Sequence, residues 1–174
     1  ILDTDLGAIK KRIEELPWVE NADVKRTYFP NTIQIKLYEK NVLALWQNEG
    51  KFYPLDMRGE IIDAEYVAHK PILIITGDNA PERINELLEI TTQNPELHSR
   101  IVAAVLYSGR RWNLIFDSFE NGVTIKLPQE HMERAWEKFV KINNQYGLLN
   151  RKLTFIDLRY KDKVSVALSG TEDN

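Results

Sequence analysis

Leu153-Thr154-Phe155-Ile156-Asp157-Leu158-Arg159-Tyr160 is followed by the polar turn Lys161-Asp162-Lys163 and then by Val164-Ser165-Val166-Ala167-Leu168. Two β-patterned runs around a short turn read as a closing pair of strands. Only the polar stretch Ser169 to Asn174 follows. The second run is therefore expected at a sheet edge with one row of N–H and C=O groups open. Such an edge can take a strand from another chain.

Working back from that end, Glu130 to Tyr146 reads as the longest helix. Met132, Ala135, Trp136, Phe139, Ile142 and Tyr146 form one stripe, and Gly147 ends it. Asn121-Gly122 between alternating apolar runs marks a hairpin joining Trp112, Leu114 and Phe116 to Val123, Ile125 and Leu127. Ile101 to Tyr107 is a strand. Pro81 opens a helix carrying Ile84, Leu87 and Leu88. Ile72 to Ile75, bounded by Pro71 and Gly77, is a buried strand. Val42 to Trp46, Lys51 to Leu55 and Glu60 to Ile62 read as short strands separated by glycine turns. Trp46, Trp112 and Trp136 fall in apolar patterns and are expected in the core.

The first 40 residues have a different texture. Asp3-Thr4 is read as the cap of an amphipathic helix on Leu6, Ile9, Ile13 and Leu16, ended by Pro17. Ala22 to Tyr28 and the alternating Ile33, Ile35 and Leu37 flank a Pro30-Asn31 turn. Trp18 is expected to pack the helix end on that hairpin. A helix and a hairpin alone are too small for a stable core. With Ile1 rather than Met at its start, the chain is read as a fragment. Strands and inserted helices together predict an α+β fold with a mostly antiparallel sheet.

Composition narrows the function. The 174 residues are 43% hydrophobic and 28% charged, with net charge -3 and pI about 5.7. No strong basic field points to nucleic acid. The absence of cysteine removes disulfides, thiolate metal sites and a cysteine nucleophile. No run approaches the roughly 20 apolar residues of a membrane span. His69, His98 and His131 are too far apart in sequence to suggest metal-ligand spacing, and read as ordinary surface or structural histidines. Neither a Gly-x-Ser-x-Gly elbow nor a phosphate loop occurs. Glu14-Glu15 reads as a solvated helix face, and Glu130 with Arg134 as a helix surface pair. No catalytic constellation, metal site or cofactor is expected. Arg110-Arg111-Trp112 has two readings. The arginines are solvated at a strand start, or they form a contact patch, since Arg and Trp are enriched in binding hot spots. Tyr160 either closes a strand or anchors a partner beside a free edge.

Several motifs in order carry a resemblance. Leu16-Pro17-Trp18-Val19, Ala22-x-Val24, Pro30-Asn31-Thr32-Ile33-x-Ile35, Glu39-Lys40 and Ala44-x-Trp46 resemble the POTRA-to-β-domain passage of the bacterial division family FtsQ/DivIB. Leu55-Asp56-x-x-Gly59-x-Ile61 is similar to that family's Asp-x-x-Gly turn. Arg110-Arg111-Trp112-x-Leu114, Asn121-Gly122, Leu127-Pro128 and Ile156-Asp157-Leu158-Arg159-Tyr160 continue the likeness. Two positions depart from it. Val42 stands where proline is usual, and Lys161-Asp162-Lys163 is charged where small residues are common.

The resemblance implies residues 1–40 as the C-terminal part of a POTRA domain and 41–174 as an FtsQ-type β domain. It implies a non-enzymatic, single-pass protein of the bacterial inner membrane with this portion in the periplasm. Partners would be FtsB-like and FtsL-like division proteins, with other divisome proteins meeting the POTRA domain, in regulating septal wall synthesis. The expected partner site is Val164, Ser165, Val166, Ala167 and Leu168 for strand addition, with Arg159, Tyr160, Arg110 and Arg111 as side-chain anchors. Which of the two adjacent arginines faces the partner is left open. The alternative is a POTRA-type outer-membrane assembly or secretion factor.

Overall fold

Two units follow one another along the chain in the computed structural model, which describes residues 5–66 and 71–169. In the first, helix α1 (Leu6–Glu14) starts where Asp5 Oδ1 accepts the N–H groups of Gly7 at 2.9 Å and Ala8 at 3.1 Å. The expected Asp3-Thr4 cap lies outside the described residues; Asp5 does the capping. The helix stops at Glu14, three residues before Pro17. Strands β1 (Val19–Tyr28) and β2 (Asn31–Glu39) pair antiparallel across a two-residue Phe29-Pro30 turn. Strand β1 starts three residues earlier than its apolar pattern suggests. Helix α1 fastens to it through Glu14 Oε1, which accepts Ala22 N–H at 3.1 Å.

The second unit is an eight-stranded sheet. Its strands are β3 (Ala44–Asn48), β4 (Lys51–Leu55), β5 (Leu73–Thr76), β6 (Ile101–Tyr107), β7 (Arg111–Phe116), β8 (Val123–Lys126), β9 (Leu153–Asp157) and β10 (Ser165–Leu168). Their order across the sheet is β10-β9-β8-β7-β6-β5-β3-β4. The helices are α2 (Ala80–Thr91), α3 (Pro95–His98) and α4 (Met132–Tyr146), with a 3-10 turn at Leu148–Asn150. The sheet is mostly antiparallel. Parallel pairing joins β8 to β9 and β5 to β6, where a helical crossover reverses the chain, and also β3 to β5. The expected strand at Glu60 to Ile62 is reduced to one bridge between Leu55 and Ile61.

Alternation sorts the sheet into two faces. Trp112, Leu114 and Phe116 of β7, Val123 and Ile125 of β8 and Ile156 of β9 are buried with Ile84, Leu87, Trp136 and Phe139 of α2 and α4. The Phe116 and Trp136 rings lie 6.5 Å apart, and those of Trp136 and Phe139 5.4 Å. Each buried indole finds an acceptor: Trp112 Nε1 donates to Glu86 and Trp136 Nε1 to Asn94. Trp46 is only half-buried and donates to Gly77 O at 3.2 Å. On the opposite face, register lines up Val105, Asn113, Lys126, Asp157 and Ser165 across β6 to β10. The Trp18 ring meets that of Tyr66 in the second unit, with 5.8 Å between centroids.

Candidate partner-binding edge

Among the described residues, strand β10 is the last in its sheet and is paired on one side, to β9. Which of its backbone groups face outward follows from its neighbours. Leu158 N–H donates to Lys126 O on β8, so β9 residues alternate with Ile156 and Leu158 facing β8, and Phe155 and Asp157 facing β10. Ser165 and Ala167 stand opposite Asp157 and Phe155 and form the hydrogen-bonded pairs. Val166 between them turns its N–H and C=O to the rim. Its side chain is 48% exposed. Val164, expected within this strand, lies just before it and packs partly against the core. The register slips between Ala167 and Leu168, where Ser169 N–H reaches Lys152 O.

The opposite rim of the sheet is blunted. Strand β4 contains Pro54, whose carbonyl accepts Ile62 N–H, and Asp56 N–H donates to Glu60 O. Proline and a covering segment are ordinary protections of an edge. Ser165 to Leu168 has no proline and no charged side chain.

Arg159 and Tyr160 are not on a strand as expected. Strand β9 ends at Asp157, and both residues belong to the connection into β10. The cause is local. The Asp157 carboxylate accepts the backbone N–H of Arg159 at 3.0 Å and the Arg159 guanidinium through Nε at 2.9 Å. This turn-like closure pulls the chain out of the ladder. Asp157 is buried, and its carboxyl is held below the usual range, chiefly by the Arg159 guanidinium, against the opposing effect of burial. Lys126 adds to the lowering and lays its ammonium 4.1 Å from the Phe155 ring centroid. Tyr160 is 49% exposed, with Lys163 Nζ 4.6 Å from its ring centroid.

Arg159 and Tyr160 line a concavity of about 540 Å³ between this connection and the start of α4, together with Arg134, Lys138 and Leu158. Lys138 Nζ donates to Lys161 O at 3.3 Å, tying helix to connection. Another, smaller hollow of about 330 Å³ gathers Arg111 and Arg159 with Tyr107, Asn113 and Lys126. The two arginines left open by the sequence are thus separated. Arg111 opens β7 and shares a hollow with Arg159. Arg110 belongs to the β6–β7 turn, its N–H bonded to Tyr107 O. Sequence reading missed Lys126 and Lys138. Lys126 was findable as the polar alternate of Val123 and Ile125; Lys138 was not, because only the fold brings α4 beside the last connection.

Among the described residues, no group of three or more His, Asp or Glu is placed to hold a metal. His98 is half-buried, which lowers its pKa, and its Nδ1 lies 3.1 Å from Thr91 Oγ1. That is a structural contact between α2 and α3.

The family model "Cell division protein FtsQ/DivIB, C-terminal" matches residues 44–159, and that of the FtsQ-type POTRA domain matches residues 1–40. The chain belongs to the FtsQ/DivIB family. Cell division protein FtsQ of Rhizobium radiobacter is 27% identical over 173 residues, covering 97% of this chain and 79% of that protein. FtsQ of Caulobacter vibrioides (strain NA1000 / CB15N) is 30% identical over 166 residues, 95% of this chain and 54% of the relative. FtsQ of Zymomonas mobilis is 33% identical over 157 residues, 89% and 48% respectively. The chain thus spans about half the length of several FtsQ relatives that it matches. The extracytoplasmic domain of DivIB from Geobacillus stearothermophilus overlaps 64% of this chain and 97% of that chain, with a TM-score of 0.42 and 13% identity. Among the described residues no helix is long and apolar enough to cross a membrane. The family models and the FtsQ relatives bear out the family resemblance read from the sequence.

Proposed function

We propose that this chain is the periplasmic part of a non-enzymatic divisome protein that binds an FtsB/FtsL-type partner by strand addition on β10. The observation that carries this reading is the rim position of β10, with Val166 directing its backbone outward and no proline or charge guarding the strand. Family membership supports the division role over an outer-membrane assembly or secretion factor. Within this reading residues 1–40 are the POTRA portion and 41–174 the β domain. The whole protein sits in the inner membrane, other divisome proteins meet its POTRA portion, and partner binding at β10 helps regulate septal wall synthesis.

Energetics require more than the backbone. Each added ladder bond contributes about 0.5–1.5 kcal/mol net, and a short strand offers few of them. Ordering the incoming segment offsets much of that gain. Side chains supply the remainder. Tyr160 is an aromatic anchor at the end of the edge, Arg159 and Arg111 line one hollow, and Lys126 adds a further cation to it. Acidic residues flanking the incoming strand fit that hollow.

Titrating the chain with a soluble periplasmic segment of an FtsB-like protein tests the reading. Saturable binding that Val166→Pro abolishes is expected. Full binding by a folded Val166→Pro variant rules out strand addition.

A further inference from the structure

The concavity between the start of α4 and the connection after β9 carries cations that strand addition at β10 does not use. Arg134 and Lys138 stand four residues apart on α4, and both line it. Lys161 lines it from the connection. Among the described residues, the Arg134 and Lys161 side chains make no hydrogen bond, ion pair or ring contact. The surface pair expected between Glu130 and Arg134 is not formed. Glu130 precedes the helix, whose cap His131 takes a φ of +58°, so regular helical spacing does not bring the two together. Lys138 gives one ammonium N–H to Lys161 O at 3.3 Å and keeps two others. Arg159 also lines the concavity, but Asp157 already compensates it. Against Arg134, Lys138 and Lys161 stands one lining carboxylate among the described residues, that of Glu130. Glu133 and Glu137 of α4 and Asp162 of the connection lie outside the lining. Two positive charges are thus left over, in a chain whose net charge is -3.

We propose that this concavity is a binding site for a small dianionic molecule, a phosphomonoester or a dicarboxylate. Its volume of about 540 Å³ falls within the range of small-molecule sites, roughly 300–1,000 Å³. Buried Ala135 and Leu158 and the half-exposed Tyr160 ring offer apolar surface to the body of the ligand. The Arg134 guanidinium presents paired N–H groups to an oxyanion, while the two lysines act as point charges. A dianion balances the two surplus charges, whereas an uncharged analogue leaves them unpaired. Arg134, Lys138 and Lys161 do not line the hollow that holds Arg111 and Lys126. The site therefore does not rest on strand addition.

An NMR titration of the 174-residue chain with glucose 6-phosphate tests it, with glutarate and glucose in parallel, at about pH 7.5 where a phosphomonoester is largely dianionic. Saturable shifts at residues 129–138 and 158–161 are expected with at least one of the two dianions, which identifies the class, and none with glucose. Arg134→Gln should weaken binding about fivefold at an unchanged melting temperature, because that side chain holds nothing else in the fold. Lys138→Gln should weaken it by a similar factor. Lys51→Gln, at the β4 rim, should bind like wild type. If Lys138→Gln loosens the fold by losing its bond to Lys161 O, Arg134→Gln decides alone. Shifts that do not saturate with either dianion overturn the proposal. So does a response to glucose equal to that of the dianions, or undiminished binding by Arg134→Gln. An equal loss in Lys51→Gln also overturns it, since the attraction would then belong to the whole surface.

Discussion

The Arg159 guanidinium grips the Asp157 carboxylate only two residues back along the chain, Nε on Oδ1 at 2.9 Å and NH2 on Oδ2 at 2.5 Å. The pair sits where β9 leaves the sheet and the path to the edge strand begins. Asp157 is buried and the arginine is partly exposed, so the pair is anchored on its acidic side. Its role is to fix the exit of β9, and with it the position of Tyr160.

A pH dependence follows from that contact. The folded-state pKa of Asp157 is lowered, first by the Arg159 hydrogen bonds. Its stabilising contribution is therefore present above the unfolded carboxylate range and is lost as pH falls through the folded value. Asp157→Asn should cost about 1–2 kcal/mol at neutral pH, allowing for the partly exposed guanidinium. It should also flatten the loss of stability on acidification. Urea unfolding from about pH 7 down to pH 3 checks both. A variant with the wild-type acid slope would show that the pair does not set it.

The two proline substitutions on β10 should separate binding from folding. Val166 N–H faces the rim, so Val166→Pro removes a donor that only an incoming strand would use. Ser165 N–H faces β9 and belongs to the existing ladder. Ser165→Pro should lower thermal stability, with amide exchange rising in β9, whereas Val166→Pro should leave both near wild type and abolish partner binding. If the two variants behave alike, the assignment of outward and inward groups is wrong.

Much of this arrangement was legible in the sequence, for identifiable reasons. Lys51 to Leu55 and Ile101 to Tyr107 coincide with observed strands because a glycine turn, or a change in alternation, marks their ends. The edge position expected for the last strand is the one observed among the described residues. What failed was local competition. Alternation carried β9 on to Tyr160, but the Asp157 side chain captures the Arg159 backbone and ends the strand early. The Pro95–His98 helix and the 3-10 turn at Leu148–Asn150 are too short to show a period. The clustering of Arg111, Lys126 and Arg159 was hidden because it depends on strand order rather than on sequence distance.

Gly59 tests the turn that carried part of the family resemblance. It has a φ of +82°, and a β-carbon there would stand 2.7 Å from Pro81 O on α2. Asp56 shapes the same turn. Burial raises its pKa, but the N–H groups of Arg58 and Glu60 and the Arg58 side chain outweigh that and lower it. Gly59→Ala combines backbone strain with a backbone clash and should destabilise by about 2 kcal/mol or more. Chemical denaturation measures it, and a loss below about 0.5 kcal/mol would mean that the turn and α2 part freely.

The side-chain anchors make the sharpest demand on the binding proposal. Tyr160 is half exposed and contributes little to the core, so Tyr160→Ala should leave the melting temperature nearly unchanged. If it is a hot spot, the same substitution weakens binding of an FtsB-like segment by more than about 2 kcal/mol. Arg111→Ala should weaken it as well, and more so at low salt, since Arg111 shares its hollow with Arg159 and Lys126. Arg110→Ala, in the turn outside that hollow, should bind like wild type. Calorimetric titration of the three variants at two salt concentrations distinguishes these outcomes. Equal losses for Arg110→Ala and Arg111→Ala would point to a diffuse positive field in place of a seated partner carboxylate.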